Sequence, residues 1–343
     1  MSGQITLKDV AKHAGVSFQT VSKVLRNEMK VTAETRARIE TAVAELAYQP
    51  NISARSLRTQ TSQLLGYSWQ PSIYNTSPIL EQFLQTLVET AGTSNYHLLL
   101  FPHLQADMAT TFRDLVTTKR VDGFILSDLN YDDSRVALLL ELDFPFVAFG
   151  RSNPEWSFAY VDVDGRAGFR MVTNHLLEQG HKRIAALGWP PNSRVGTDRL
   201  NGYLEAMKQA GIQVRSEWIL GGDGAAEFGY WAANKLLDLP ESNRPTGIVT
   251  VEDMQAVGAI HAVQDRGLVV GADIGITGFD DSPFVQCVTP SLTSLRQPIQ
   301  EIGESVVTLL TEIINGNEPE EKHIILPPEL IIRESSVGFN HIL

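Results

Sequence analysis

A single cysteine, Cys287, stands in 343 residues. No disulfide can form within the chain, so folding in a reducing cytoplasm is expected. Long apolar runs are missing as well. The most apolar stretch, Val136 to Phe149, carries Glu141 and Asp143 and is too short to span a bilayer. The first residues, MSGQITLKDV, lack the apolar core of a secretory signal, so neither export nor a membrane partner is expected. The eight histidines are scattered, without the spacing of a metal site. No nucleophile motif and no phosphate loop occur, and GADIGITG at 271–278 lacks the dinucleotide fingerprint. Asp162, Asp164, Asp280 and Asp281 include paired carboxylates of the kind that do acid–base work. Nothing nucleophilic accompanies them, so the chain is not expected to be an enzyme or to hold a cofactor.

Basic residues are also in deficit, with a net charge of -12. Taken whole, that argues against a nucleic-acid partner; the distribution reverses the argument. Residues 1–60 hold nine Lys/Arg against five Asp/Glu, net +4, and the remainder holds 19 against 35, net -16. A basic head on an acidic body suits a head that meets phosphate and a body that does not. The length also calls for more than one domain.

The head reads ITLKDVAKHAGVSFQTVSKVLRN from Ile5 to Asn27. Thr6 is placed to cap a first helix, with Asp9 as its acidic partner. Leu7, Val10 and Ala11 form one apolar face. Gly15 then ends the helix, because a tight turn there needs a positive φ. Ser17 caps a second helix whose apolar face is Val21, Val24 and Leu25. A small residue (Ala11), a glycine in the turn and a branched plug (Val21) are what two closely crossing helices need. A third amphipathic helix is expected from Thr32 to Ala47, with Ile39, Val43 and Leu46 inward. The second helix would expose Phe18, Gln19, Thr20, Ser22 and Lys23 to a major groove. Gln pairs with adenine, Ser and Thr adapt to either base, and Lys reaches guanine or phosphate. Residues 50–58, PNISARSLR, make two turns at most, marginal unless something else orders them. Leu57 between Arg55 and Arg58 has the make-up of a minor-groove wedge; the plainer reading is a linker that packs on the body.

The stretches TLKDVAKHAGVS, TVSKVL, AELAYQPN and ARSLR, in this order at the amino end, resemble the LacI/GalR (lactose-repressor) family of bacterial transcription regulators. The resemblance implies a homodimer on near-palindromic double-stranded operator DNA. Recognition helices would enter successive major grooves and Leu57 of each subunit the central minor-groove step. The DNA-contacting set would be Thr6, Ser17, Phe18, Gln19, Thr20, Ser22, Lys23, Asn27, Asn51, Ala54 and Leu57. The headpiece would span 1–49 and the hinge 50–60.

From Leu64 onward strands and helices alternate. Strands are expected at 64–69, 96–101, 121–127, 145–150, 182–188, 247–251 and 274–279. Helices are expected at 79–91, 108–118, 133–142, 165–179, 197–210, 225–239 and 253–266. Such alternation gives parallel sheets covered by helices, with ligands at the carboxyl ends of the strands. The resemblance extends here through SNPEWSFAYVDVDGRAGFRM, LLEQGHKRIAALG, DRLNGYLEAM, GADIGITGFDDS and TPSLTSLRQP. It implies an α/β, two-lobed, periplasmic-binding-protein-like domain over 61–343, after an all-α helix-turn-helix domain. Lobe 1 would hold 61–161 and 290–325, and lobe 2 162–289 and 326–338, with crossings near Val161, Thr289 and Leu326.

Between the lobes the resemblance places a small effector, a sugar by expectation, on Ser77, Ser127, Arg151, Val195, Arg199, Glu252, Asp280 and Gln297. Arg199 offers a fork of donors and Asp280 an acceptor for two hydroxyls. Asp253 is expected to be a helix cap. Two positions depart from the family. Glu252-Asp253 stands where Asn-Asp is usual, and Gly224 where an aromatic often stacks on the sugar ring. Trp69, Trp189 and Phe228 are the candidate substitutes, with Trp189 preferred. Glu252 makes the cleft more acidic, which leaves nucleosides and cationic metabolites as alternative effectors. The tail SSVGFNHIL has no heptads, so a dimer is expected rather than a tetramer. A pure solute-binding protein would predict a signal peptide and no head.

Overall fold

The computed structural model describes residues 5–25, 29–48, 61–69, 78–102 and 107–338. The hinge at 50–60, with Asn51, Ala54 and Leu57, and the positions Asn27 and Ser77 lie outside the described residues. The chain divides into two compact units, Met1–Ser62 and Gln63–Leu343.

The first unit contains helices α1 (Leu7–Ala14), α2 (Phe18–Leu25) and α3 (Ala33–Glu45). Thr6 begins α1, its backbone N–H and hydroxyl both donating to Asp9 at 2.8 and 2.6 Å. Gly15 ends it at φ +64. The Ser17 hydroxyl accepts the Thr20 N–H at 3.1 Å to start α2, and Thr32 accepts the Thr35 N–H at 3.3 Å to start α3. Val10, Ala11, Ala14, Val21, Val24, Ile39, Ala42 and Tyr48 close into one core. Arg38 completes the turn. Its guanidinium donates to the carbonyls of Ala14 and Gly15 at 3.1 Å, satisfying acceptors that the helix end leaves open. A Cβ on Gly15 would meet that guanidinium at 3.0 Å, so both the left-handed backbone and the space require glycine there.

The second unit is two six-stranded sheets with helices on their faces. The first sheet holds β1 (Leu64–Trp69), β2 (His97–Pro102), β3 (Gly123–Leu126), β4 (Phe146–Phe149), β5 (Ala159–Val163) and β11 (His323–Leu326), in the order β11-β5-β4-β3-β1-β2. The second holds β6 (Ile184–Gly188), β7 (Ile219–Gly221), β8 (Gly247–Thr250), β9 (Gly275–Asp280), β10 (Thr293–Arg296) and β12 (Glu329–Ile331), in the order β12-β10-β9-β8-β6-β7. Pairing is parallel throughout except for β10 with β12. The helices are α4 (Pro78–Thr93), α5 (Met108–Thr117), α6 (Ser134–Glu141), α7 (Gly165–Glu178), α8 (Arg194–Gln209), α9 (Ala226–Leu237), α10 (Asp253–Asp265) and α11 (Ile299–Ile314).

The chain passes between lobes three times: from β5 into α7, from β10 into α11, and from β11 to β12. The second passage corrects the expected crossing near Thr289. Thr293–Arg296 pairs with Thr277–Asp280, which keeps residues 290–296 in the second lobe and moves the passage to Gln297–Pro298. α11 then buries Ile302, Val306, Val307 and Leu310 against α4 and the first sheet.

Candidate functional site

In the first unit, Phe18 at 43% exposure, Gln19 and Lys23 stand clear on α2. The hydroxyls of Ser17 and Thr20 meet at 2.8 Å, so capping already engages them. Ser22 corrects the expectation of an exposed base-reading residue. It is 6% exposed, because it flanks the stripe of Val21 and Val24 that packs inward.

In the second unit, a cleft of about 560 Å³ opens where strands of both sheets end. Ser127 follows β3, Phe149 and Gly150 end β4, and Trp189 follows β6. Val251 and Glu252 follow β8, Asp280 ends β9, and Gln297 follows β10. α8 adds Val195 and Arg199, and α4 adds Ile79 and Leu80. Parallel strands place their carboxyl ends on one side, and chain crossings bring two such sides face to face.

Local structure holds each side chain in place. Ser127 shares a hydrogen bond with the buried Tyr67 hydroxyl at 2.8 Å, and Arg135 donates to the carbonyls of Ser127 and Asp128 at 3.0 Å. Asp280 has φ +121 and Asp281 φ +52, conformations that cost roughly 1–3 kcal/mol each unless the surroundings impose them. Asp281 supplies that restraint. It accepts from Arg333 at 2.6 Å and pairs with Arg296 at 2.7 Å. Adjacent carboxylates therefore do different work: Asp281 anchors the turn and Asp280 faces the cleft. Asp253 accepts from the Ser282 N–H at 2.7 Å and the Ser294 hydroxyl at 2.5 Å; it ties the β9 loop to α10 and does not line the cleft.

Arg199 lies deep, 7% exposed, donating to the Val251 carbonyl at 2.5 Å with its guanidinium 3.5 Å from the centre of the Phe279 ring. Gln297 donates to Asp280 at 2.5 Å. Burial pushes the Asp280 carboxyl up to about 8, reinforced by the charge of Glu252 and opposed by Arg199. Burial likewise lifts Glu252 to about 7 against the pull of Arg199. Carboxylates, a guanidinium, an amide and a hydroxyl beside an indole can exchange hydrogen bonds with hydroxyl and amino groups.

Of the expected effector residues, Ser127, Trp189, Val195, Arg199, Glu252, Asp280 and Gln297 come together here. Arg151 does not line the cleft, which corrects its expected role. Its Nε donates to Asp162 at 2.7 Å and its Nη2 pairs with Asp198 at 3.0 Å; both ends of its fork are engaged. Among the three candidate platforms, Trp189 lines the cleft while Trp69 and Phe228 do not. The sequence reading missed Asp128, Asn130, Phe149, Asp162 and Asn192 as lining residues. Phe149 lies at the carboxyl end of a strand, so its strand position carried the signal.

A helix-turn-helix unit and a two-lobed α/β unit with a polar cleft define a ligand-responsive DNA-binding regulator. Residues 6–51 match the model for bacterial regulatory proteins of the lacI family, and 173–336 that for a periplasmic binding protein-like domain. The HTH-type transcriptional repressor PurR of Serratia proteamaculans (strain 568) is 33% identical over 334 residues, covering 96% of each chain. The Lac repressor dimer bound to operator and the anti-inducer ONPF superposes with a TM-score of 0.85 at 28% identity, covering 97% of this chain and 99% of that one. The transcriptional regulator CelR in complex with cellobiose has a TM-score of 0.74 at 28% identity, covering 97% and 100%. The chain belongs to the lacI family: it is a transcriptional repressor, not an enzyme.

Proposed function

We propose that this repressor acts as a homodimer on a near-palindromic operator, and that a polyhydroxylated small molecule of the sugar class, held between the lobes, sets its operator affinity. The observation that carries the effector reading is the pairing of Asp280 with Gln297 at 2.5 Å opposite the buried Arg199 fork, with Trp189 beside them. This set offers acceptors and donors for vicinal hydroxyls and an apolar face for a ring. The cellobiose bound by CelR and the operator bound by the Lac repressor dimer support the same reading. On the head, Gln19 and Lys23 are the exposed side chains suited to base edges and phosphate.

Two sites communicate only if ligand binding changes the free energy of DNA binding. Closure of the lobes on the effector is the physical change available, since the cleft is built from both sheets. The test is a thermal-shift screen of mono- and disaccharides, followed by operator titration with each binder. A sugar that raises the melting temperature and changes operator affinity supports the reading. Sugars without effect on melting, alongside another metabolite class that has one, would move the effector elsewhere.

A further inference from the structure

Glu252 has a surrounding that the polyhydroxylated-ligand reading does not explain. It follows β8, with the Thr250 hydroxyl donating to its carbonyl at 2.8 Å. Its residue is 8% exposed, and Oε2 is buried with no hydrogen-bond partner among the described residues. Gly224 faces it. A Cβ at position 224 would overlap Glu252 Oε2 and stand 2.7 Å from Trp189 Cη2. The carboxylate, the indole and the bare backbone of Gly224 therefore converge on one corner of the cleft.

Charge around that corner does not balance. Among the described residues lining the cleft, Arg199 is the cation and Asp128, Asp162, Glu252 and Asp280 are the acids. Asp162 has a partner in Arg151 outside the lining. Asp128 has Arg135 as its nearby cation, which leaves Arg199 to Glu252 and Asp280, while the Arg199 Nε is buried without a hydrogen-bond partner among the described residues and its Nη1 is committed to a carbonyl. A buried carboxylate oxygen without a donor is costly, and a ligand can supply the donor.

We propose that the effector carries an amino group as well as hydroxyls, an amino sugar or amino polyol, with its ammonium directed at the Glu252 carboxylate on the cleft side of that corner. The ammonium gives Oε2 its missing donor. A charge-assisted hydrogen bond in a dry corner also discriminates: a neutral ring leaves Glu252 unsatisfied there. This rests on the cleft being the effector site, as proposed above.

The test uses the full chain and matched probes: glucose with glucosamine, galactose with galactosamine, and cellobiose with the corresponding glucosamine disaccharide. N-acetylglucosamine controls for size. Calorimetry and thermal shift are run on wild type and on Glu252→Gln. That variant keeps the shape and removes the charge, so its fold is retained. The expected result is that an aminated probe binds wild type about tenfold or more tighter than its neutral partner, and that Glu252→Gln erases the preference. Neutral probes binding as well as aminated ones, with Glu252→Gln unchanged, would overturn the ammonium and leave the cleft as a sugar site. No shift from any probe of either kind counts against both.

Discussion

Arg151 Nη2 stands 3.0 Å from Asp198 Oδ2, and the pair joins the two lobes. Arg151 follows β4 of the first sheet and Asp198 lies in α8 on the second. Arg194 reinforces the bridge. Its Nε pairs with the same Asp198 oxygen at 3.2 Å and its Nη1 reaches the Ser152 carbonyl at 3.5 Å. A backbone bond from the Tyr131 N–H to the Asn192 carbonyl at 3.0 Å runs alongside. All three charged partners are shielded, with side-chain exposures of 19% or less, so the bridge is less screened than a surface pair. Asp198→Asn should loosen the link between the lobes and weaken effector binding by about tenfold. Calorimetry checks the affinity and small-angle scattering the spread of the lobes; unchanged values for both would mean that the bridge holds nothing together.

Asp280 separates the two sites cleanly. Asp280→Ala removes the acceptor bonded to Gln297 but none of the contacts of the head. It should abolish the effector response while operator affinity without effector stays within about twofold, since the two units fold around separate cores. Operator titrations with and without effector give both numbers; a retained response would remove Asp280 from the site.

Position 224 tests the shape of the cleft. Gly224→Trp installs the aromatic that much of the family carries, but its Cβ collides with the Glu252 carboxylate. The single variant should melt lower than wild type and bind effector poorly. Pairing it with Glu252→Asn shortens the obstructing side chain, so the double variant should recover stability and favour neutral sugars. A double-mutant cycle on melting temperature measures the coupling; strict additivity would mean that the two positions do not share the space.

Stability should depend on pH with a definite sign. Glu252 and Asp280 are lifted to about 7 and about 8 by burial, above their unfolded values near 4. The folded chain then binds the extra protons, so their contribution is full at low pH and lost as pH rises through 7 and 8. The effector-free two-lobed unit should melt progressively lower from about pH 5 to 8 and level off above that. Glu252→Gln should flatten that slope. A flat profile for wild type would show that the carboxyls titrate normally.

Much of this architecture was legible in the sequence. The head was readable because Thr6, Gly15, Ser17 and Val21 each do one local job at fixed spacing. Strand–helix alternation from Leu64 to Phe279 was equally plain. β5, β7, β10, β11 and β12 escaped because each is only three to five residues long, too short for a periodicity to show. α11 was not among the expected helices, although its stripe of Ile302, Val306, Val307 and Leu310 carried the signal; β10 beside it is what shifts the lobe crossing. In the cleft, residues at strand ends could be anticipated. The engagement of Arg151 by Asp162 and Asp198 could not, because those contacts join β4, β5 and α8 from distant parts of the chain.

The turn of the head offers a stability test independent of the cleft. Gly15→Ala forces a Cβ into a left-handed backbone and against Arg38. It should destabilise the head by about 1–2 kcal/mol and lower DNA affinity, with effector binding intact. Hydrogen exchange on the full chain localises the loss; protection unchanged in residues 7–25 would show that the turn tolerates a side chain.

The central claim, that a ligand in the cleft sets DNA affinity, is tested most directly by operator titration in a panel of neutral and aminated sugars. A palindromic duplex selected by the full chain serves as target, with wild type and Asp280→Ala measured side by side at fixed salt. At least one probe should change wild-type operator affinity by about tenfold and leave Asp280→Ala unmoved. Operator affinity that ignores every probe, or a response of equal size in Asp280→Ala, would contradict it.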